Sequence, residues 1–95
     1  MSAAVAADLR AAKDLLVADG WIQGAGKTDC GRCLGRAIAD AAELRGSGYL
    51  PARDAVFRLI PSSVDIADWN DAGGRVKEQV LALLDKAIAA EEARP

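Results

Sequence analysis

The chain has 95 residues, 52% of them hydrophobic but only 4% aromatic, with a net charge of −2 and a pI near 5.0. A chain of this length makes one domain with one modest core, here residues 1–95, and its composition excludes disorder. The acidic balance excludes a general nucleic-acid binder, which would carry a basic face.

The opening stretch, "MSAAVAADLRAAKDLL", does not read as a signal peptide, because Asp8 and Arg10 interrupt its apolar run. No stretch approaches the roughly 20 apolar residues of a membrane span. Two cysteines without a secretory signal fit a reducing compartment, so the expectation is a soluble cytoplasmic protein.

Residues 3–19 place Val5, Leu9, Ala12 and Leu16 on one helical face, and Gly20 follows as a stop. Residues 20–29 are glycine-rich and read as a loop pinned by Trp21 and Ile22, with at most an isolated bridge in "GWIQG". A second helix is expected from about Cys30, with Asp29 as its N-cap. Its apolar stripe would be Cys33 or Leu34, Ala37, Ile38, Ala41 and Leu44, and its polar stripe Arg32, Arg36, Asp40 and Glu43. "RGSGY" ends it.

Pro51 suits the first turn of a third helix, whose buried candidates are Val56, Phe57, Leu59 and Ile60. Ser62 with Asp65 resembles a capping box for a short fourth helix facing Ile66 and Trp69 inward. Asn70, Asp71, Gly73 and Gly74 read as the next connection. The last helix is expected from about Arg75 to Glu92, with Val76, Val80, Leu83, Leu84, Ala87 and Ile88 as its stripe. The fold class is therefore all-α: four to five helices packed around the first and the last.

Two motifs suggest chemistry. Gly26-Lys27-Thr28 matches the end of a phosphate-binding loop, but the first glycine of that pattern falls on Trp21 and a helix precedes the loop. Cys30-Gly31-Arg32-Cys33 is a Cys-x-x-Cys. At a helix start the dipole and Arg32 would favour a thiolate at Cys30, the reactive form. The βαβ setting of dithiol proteins is missing, and structural cysteines are the preferred reading. Zinc needs four ligands, and two cysteines with no histidine could supply them only from two chains. The absence of histidine also removes the usual general base near neutral pH. Asp65, Asp68 and Asp71 fail the calcium-loop pattern, because Asn70 and Val76 stand where Gly and Glu are needed.

Three islands, Gly20-Trp21, Cys33-Leu34-Gly35 and Trp69-Asn70-Asp71, occur in an order that resembles a family of small actinobacterial and phage proteins with no assigned activity. The resemblance implies a helical fold and carries over no catalytic residue. On physical grounds Trp69 is expected to pack into the core, with Asn70 and Asp71 bonding backbone N–H groups at the turn.

Charge is uneven. Residues 31–60 carry a net +2 and residues 61–95 a net −3. The expected function is a non-enzymatic interaction module that binds a protein partner, without a cofactor, nucleic acid or membrane, and with a homodimer left open. A phage or mobile-element regulator or inhibitor of a host nucleic-acid-processing or defence complex fits the resemblance. The candidate surface is Asp65, Asp68 and Asp71 with the exposed parts of the last helix, or alternatively Arg32 and Arg36 with Arg53 and Arg58. The competing reading is a thiol redox or intersubunit metal-binding protein using Cys30 and Cys33.

Overall fold

The structure is a computed structural model that describes residues 2–24, 26–61 and 64–94. The fold is all-α. Helix α1 spans Ser2–Asp19, α2 Leu34–Leu44, α3 Tyr49–Phe57, α4 Ile66–Asp71 and α5 Lys77–Ala93. A two-stranded hairpin, β1 Lys27–Thr28 and β2 Gly31–Arg32, is the only sheet among the described residues.

Helix α1 buries Val5, Ala6, Leu9, Ala12 and Leu16 at the expected spacing. Gly20 ends it in the left-handed region (φ 101°), its N–H donating to Leu16 O at 3.0 Å. Asp8 lies on the buried side as well. Its carboxylate accepts from Arg45 Nε at 2.7 Å and from Ser47 Oγ at 3.0 Å, which makes its burial tolerable.

Residues 20–24 and 26–33 are more ordered than a loop. Trp21 does form an isolated bridge, parallel to Arg32, and the hairpin pairs Lys27 with Arg32 and Thr28 with Gly31 around a turn of Asp29 and Cys30. The chain crosses itself at Gly20 and Gly31. Arg32 N–H donates to Gly20 O and Ile22 N–H to Arg32 O, both at 3.1 Å. A Cβ at Gly31 would collide with the Gly20 carbonyl, and one at Gly20 with the Cys30 carbonyl. Gly31 also has φ 143°, which side-chain-bearing residues rarely adopt.

This pairing corrects the expected start of the second helix. It holds Gly31 and Arg32 in a strand, and Cys33 N–H still donates to Gly26 O at 2.9 Å. Helix α2 therefore begins at Leu34, and Cys33, not Asp29, is its N-cap: Cys33 Sγ accepts from Arg36 N–H at 3.4 Å. Leu34, Ala37, Ile38, Ala41 and Ala42 are buried, but Leu44 points outward and is 76% exposed. It is the last helical residue.

Helix α3 buries Val56, Ile60 follows it into the core, and Phe57 packs against the core with the Arg53 guanidinium 5.1 Å from its ring. Leu59 is exposed, contrary to expectation. The helix stops at Phe57, so the 3.6-residue phase no longer governs Leu59. Asp65 caps α4 by accepting from Asp68 N–H at 2.8 Å. Its expected capping-box partner, Ser62, lies outside the described residues.

Helix α5 buries Val80, Leu83, Leu84, Ala87 and Ile88 as read from the sequence. Val76 is instead the exposed N-cap residue, with its N–H donating to Gln79 Oε1 at 3.1 Å. Near the other end, buried Glu91 accepts from Arg58 at 3.4 Å and from Arg94 at 3.2 Å.

Helix α1 is the hub: it packs on α2, α5 and α3, and α4 rests on α2. Leu9, Leu16, Leu34, Ile38, Val56, Val80 and Leu84 fill the centre. Each such side chain contributes about 1.5–3 kcal/mol on leaving water, so this cluster sets the stability. Lys13 joins Asp85 at 2.7 Å and Arg10 pairs with Glu92 across the α1–α5 seam. Exposed pairs of this kind add little. No described helix is long and apolar enough to cross a membrane.

Candidate functional site

The three motif islands meet at one side chain. Asn70 is 1% exposed. Its Oδ1 accepts from Trp21 Nε1 at 2.6 Å and from Leu34 N–H at 2.9 Å. Its Nδ2 donates to Ile22 O at 3.1 Å and to Asp71 Oδ1 at 2.9 Å. Asp71 Oδ1 in turn accepts from Gly24 N–H at 2.9 Å, and Gln23 Nε2 donates to the carbonyls of Asn70 and Ala72. A buried carboxamide with both ends satisfied rigidifies what it touches.

The expectation that Asn70 and Asp71 bond backbone N–H groups holds, but those groups belong to Leu34 and Gly24, not to their own turn. The lock thus fastens α4 to the Trp21–Gly24 segment and to the first turn of α2. The Gly24 N–H, and then Asn70, hold the Asp71 carboxyl below the usual carboxylate range. Trp69 packs against the core and carries the Arg75 guanidinium 3.8 Å over its ring.

On the hairpin side, Arg32 is the organising charge. It is 8% exposed, so it is not the surface arginine expected of the polar stripe. Residing in β2, it points its guanidinium between two helices. It pairs with Asp19 at the end of α1 and donates to Asp40 Oδ2 in α2 at 2.8 Å. Arg36 donates to Asp40 Oδ1 at 2.8 Å. The carboxylates of Asp19 and Asp40 raise the Arg32 pKa still further. Burial alone would push the Asp40 carboxyl up. The hydrogen bonds from Arg32 and Arg36 outweigh that and hold it below its ordinary value.

Two open hollows flank the Lys27–Arg32 rung of the hairpin. One, of about 380 Å³, lies towards the end of α1 and includes Ala18, Asp19, Thr28 and Asp29. The other, of about 540 Å³, runs along α2 past Arg36, Asp40 and Glu43 to Leu44. The structure therefore brings Arg32, Arg36 and Lys27 to one concave surface.

Asp65, Asp68 and Asp71 are placed elsewhere, on and beside α4. Asp65 is used as a helix cap and Asp71 as part of the lock. Among the described residues they do not gather into a group able to hold a cation. The Arg53 and Arg58 side chains are paired with Asp54 and Glu91. Lys27 and Thr28 lie in β1, exposed, and not at a helix N-terminus where a phosphate would be cradled.

A family of unknown function, DUF6197, matches residues 1–90. The chain belongs to this family. None of the curated proteins and none of the solved structures matches it. DUF6197 carries no assigned activity, as the motif resemblance implied. The Trp-Asn-Asp island of this DUF6197 chain is part of the internal lock.

The cysteines of this DUF6197 chain are both free. Cys30 is exposed in the hairpin turn and is not at a helix start, so no helix dipole acts on it. Cys33 is half-buried at the cap of α2. The strand residues Gly31 and Arg32 separate them.

Proposed function

We propose that this protein is a non-enzymatic interaction module and that its α2–hairpin surface receives a protein partner. One observation carries the reading. Leu44, the most exposed large apolar side chain among the described residues at 76%, borders an open, charged hollow of about 540 Å³ built on the Arg32–Asp40–Arg36 frame. An apolar anchor beside fixed charges of both signs is the chemistry of a protein interface, where burial gives affinity and charge gives register.

This reading moves the candidate surface. The acidic face is weaker, because Asp65 and Asp71 already accept internal hydrogen bonds. In the phage or mobile-element setting that the resemblance implies, such a module regulates or blocks a host complex by covering one of its surfaces. The thiol alternative draws support only from the exposure of Cys30.

The test is affinity capture from a lysate of the source organism with the full chain, quantified by mass spectrometry. Proteins enriched by the wild type should be lost with Leu44→Glu and with Arg36→Glu, and retained with the control Glu78→Lys on α5. Equal capture by all four chains overturns the reading.

A further inference from the structure

Within helix α2 the exposed charges of Arg36 and Glu43 run against the helix dipole, while Arg45 at the C-cap is paired with Asp8 of α1. The first turn of α2 has no acidic residue and its last turn no basic one. Arg36 instead sits in the first turn, 48% exposed at the side chain, and exposed Glu43 is the next-to-last residue. A helix N-terminus favours negative charge and a C-terminus positive charge, so both residues disfavour the isolated helix. Lys27, in β1, joins Arg36 along the same hollow and strengthens the positive end, while Leu44 lies beside Glu43 at the negative end. Arg36, Asp40 and Glu43 or Leu44 are spaced by three to four residues, which sets them on one face.

An arrangement that is wrong for one helix is right for two that run antiparallel. We infer that a second copy of this chain docks on the outer face of α2, related by a two-fold axis that passes near Asp40. The inference rests on the proposed role of this surface and names its partner. A two-fold pairing sets Arg36 of each copy against the other's Glu43, at the ends where each helix dipole is then complemented in trans. Leu44 of each copy lies over the other's first turn, beside the stem of Arg36. At the axis the Asp40 carboxylates face each other, each already neutralised by Arg32 and Arg36 of its own chain.

The dimer is of modest affinity, because one 11-residue helix face buries less than the roughly 1,200 Å² of a standard interface. Sedimentation equilibrium of the full chain from about 10 to 1,000 µM covers the range expected for such a contact. The wild type should move from the 9.9 kDa monomer towards twice that mass. Leu44→Glu, Arg36→Glu and Glu43→Arg should each raise the dimer Kd by at least about tenfold, with unchanged far-UV circular dichroism. An equimolar mixture of the Arg36→Glu and Glu43→Arg chains should recover the dimer, because each cross-contact then pairs opposite charges, one in the wild-type sense and one reversed. A wild type that stays monomeric throughout, a dimer indifferent to the three substitutions, or a mixture that does not recover overturns the inference. Capture of a different protein by the wild type alone would still leave the interaction-module reading standing.

Discussion

Trp21 and Asn70 are 49 positions apart, yet the indole N–H of one donates to the carboxamide oxygen of the other at 2.6 Å. That oxygen also accepts the N–H of Leu34, the first residue of α2. One side chain therefore couples the end of α1, the start of α2 and the whole of α4.

Removing the carboxamide should be among the most damaging single changes. Asn70→Ala leaves the Trp21 and Leu34 donors and the Ile22 carbonyl without partners, and should cost about 3 kcal/mol in urea unfolding. Asn70→Asp keeps the acceptor, loses the donor and adds a negative charge beside Asp71. It should cost about 2 kcal/mol near neutral pH. A loss under about 0.5 kcal/mol for Asn70→Ala would contradict the lock.

The glycines separate into those that the backbone needs and those it does not. Gly31→Ala meets both a disfavoured φ and the Gly20 carbonyl, and should destabilise by about 3 kcal/mol or more. Gly35→Ala places a methyl group 3.8 Å from Ile66 and Tyr49, an ordinary contact. Inside the first turn of α2 it should be neutral or stabilising by about 0.5–1 kcal/mol. Thermal melts of the two variants check the contrast, and similar losses for both would refute the crossed-backbone packing.

Asp40 sets an acid limb. Its folded-state pKa lies below the ordinary 3.8, so the stability it contributes is complete above that value and is lost as the pH falls through the lowered one. Asp71 acts in the same direction. Asp40→Asn should flatten the decline in Tm below about pH 4, and should cost about 2 kcal/mol near neutrality because Arg32 keeps only one of its two carboxylates. An unchanged acid limb would argue that the Arg32–Asp40–Arg36 frame contributes nothing in solution.

How much of this was legible beforehand follows from the range of the forces involved. The stripes of α1 and α5 are local periodicities, and they place the buried residues at Leu9, Leu16, Val80 and Leu84 correctly. The stripe fails at helix ends: Leu44 is the last residue of α2, Leu59 lies beyond the end of α3 and Val76 precedes α5, and all three are exposed. The start of α2 is hard to read from sequence because its cap is a sulfur, which gives a weaker signal than the nearby Asp29. Two-residue strands are too short to show alternation, so the hairpin left no trace. The burial of Arg32, Asp8 and Glu91 depends on partners brought by tertiary folding: Asp19 and Asp40, Arg45 and Arg58. Chain spacing alone does not encode those pairs. Trp-Asn-Asp reads from the sequence as structural, but its partners lie 36 to 49 residues away, beyond the reach of local pattern.

The cysteines should behave as two separate thiols. Iodoacetamide should label exposed Cys30 well before Cys33 in the folded chain. Cys33→Ser should retain or improve the α2 cap, within about 1 kcal/mol of wild type, since serine is a preferred N-cap. Treatment with diamide should leave the native chain without an intrachain bridge. Rapid formation of a Cys30–Cys33 disulfide, read by intact mass, would restore the dithiol reading.

The central claim is that the α2–hairpin surface contacts protein, and a photo-crosslinking amino acid at position 44 tests it most directly. Activated in a lysate of the source organism, the probe at position 44 should give discrete protein adducts, the chain itself among them, that disappear with Arg36→Glu. The same probe at position 78 should give none. Absence of any discrete adduct from position 44, or identical adducts from both positions, would contradict the account.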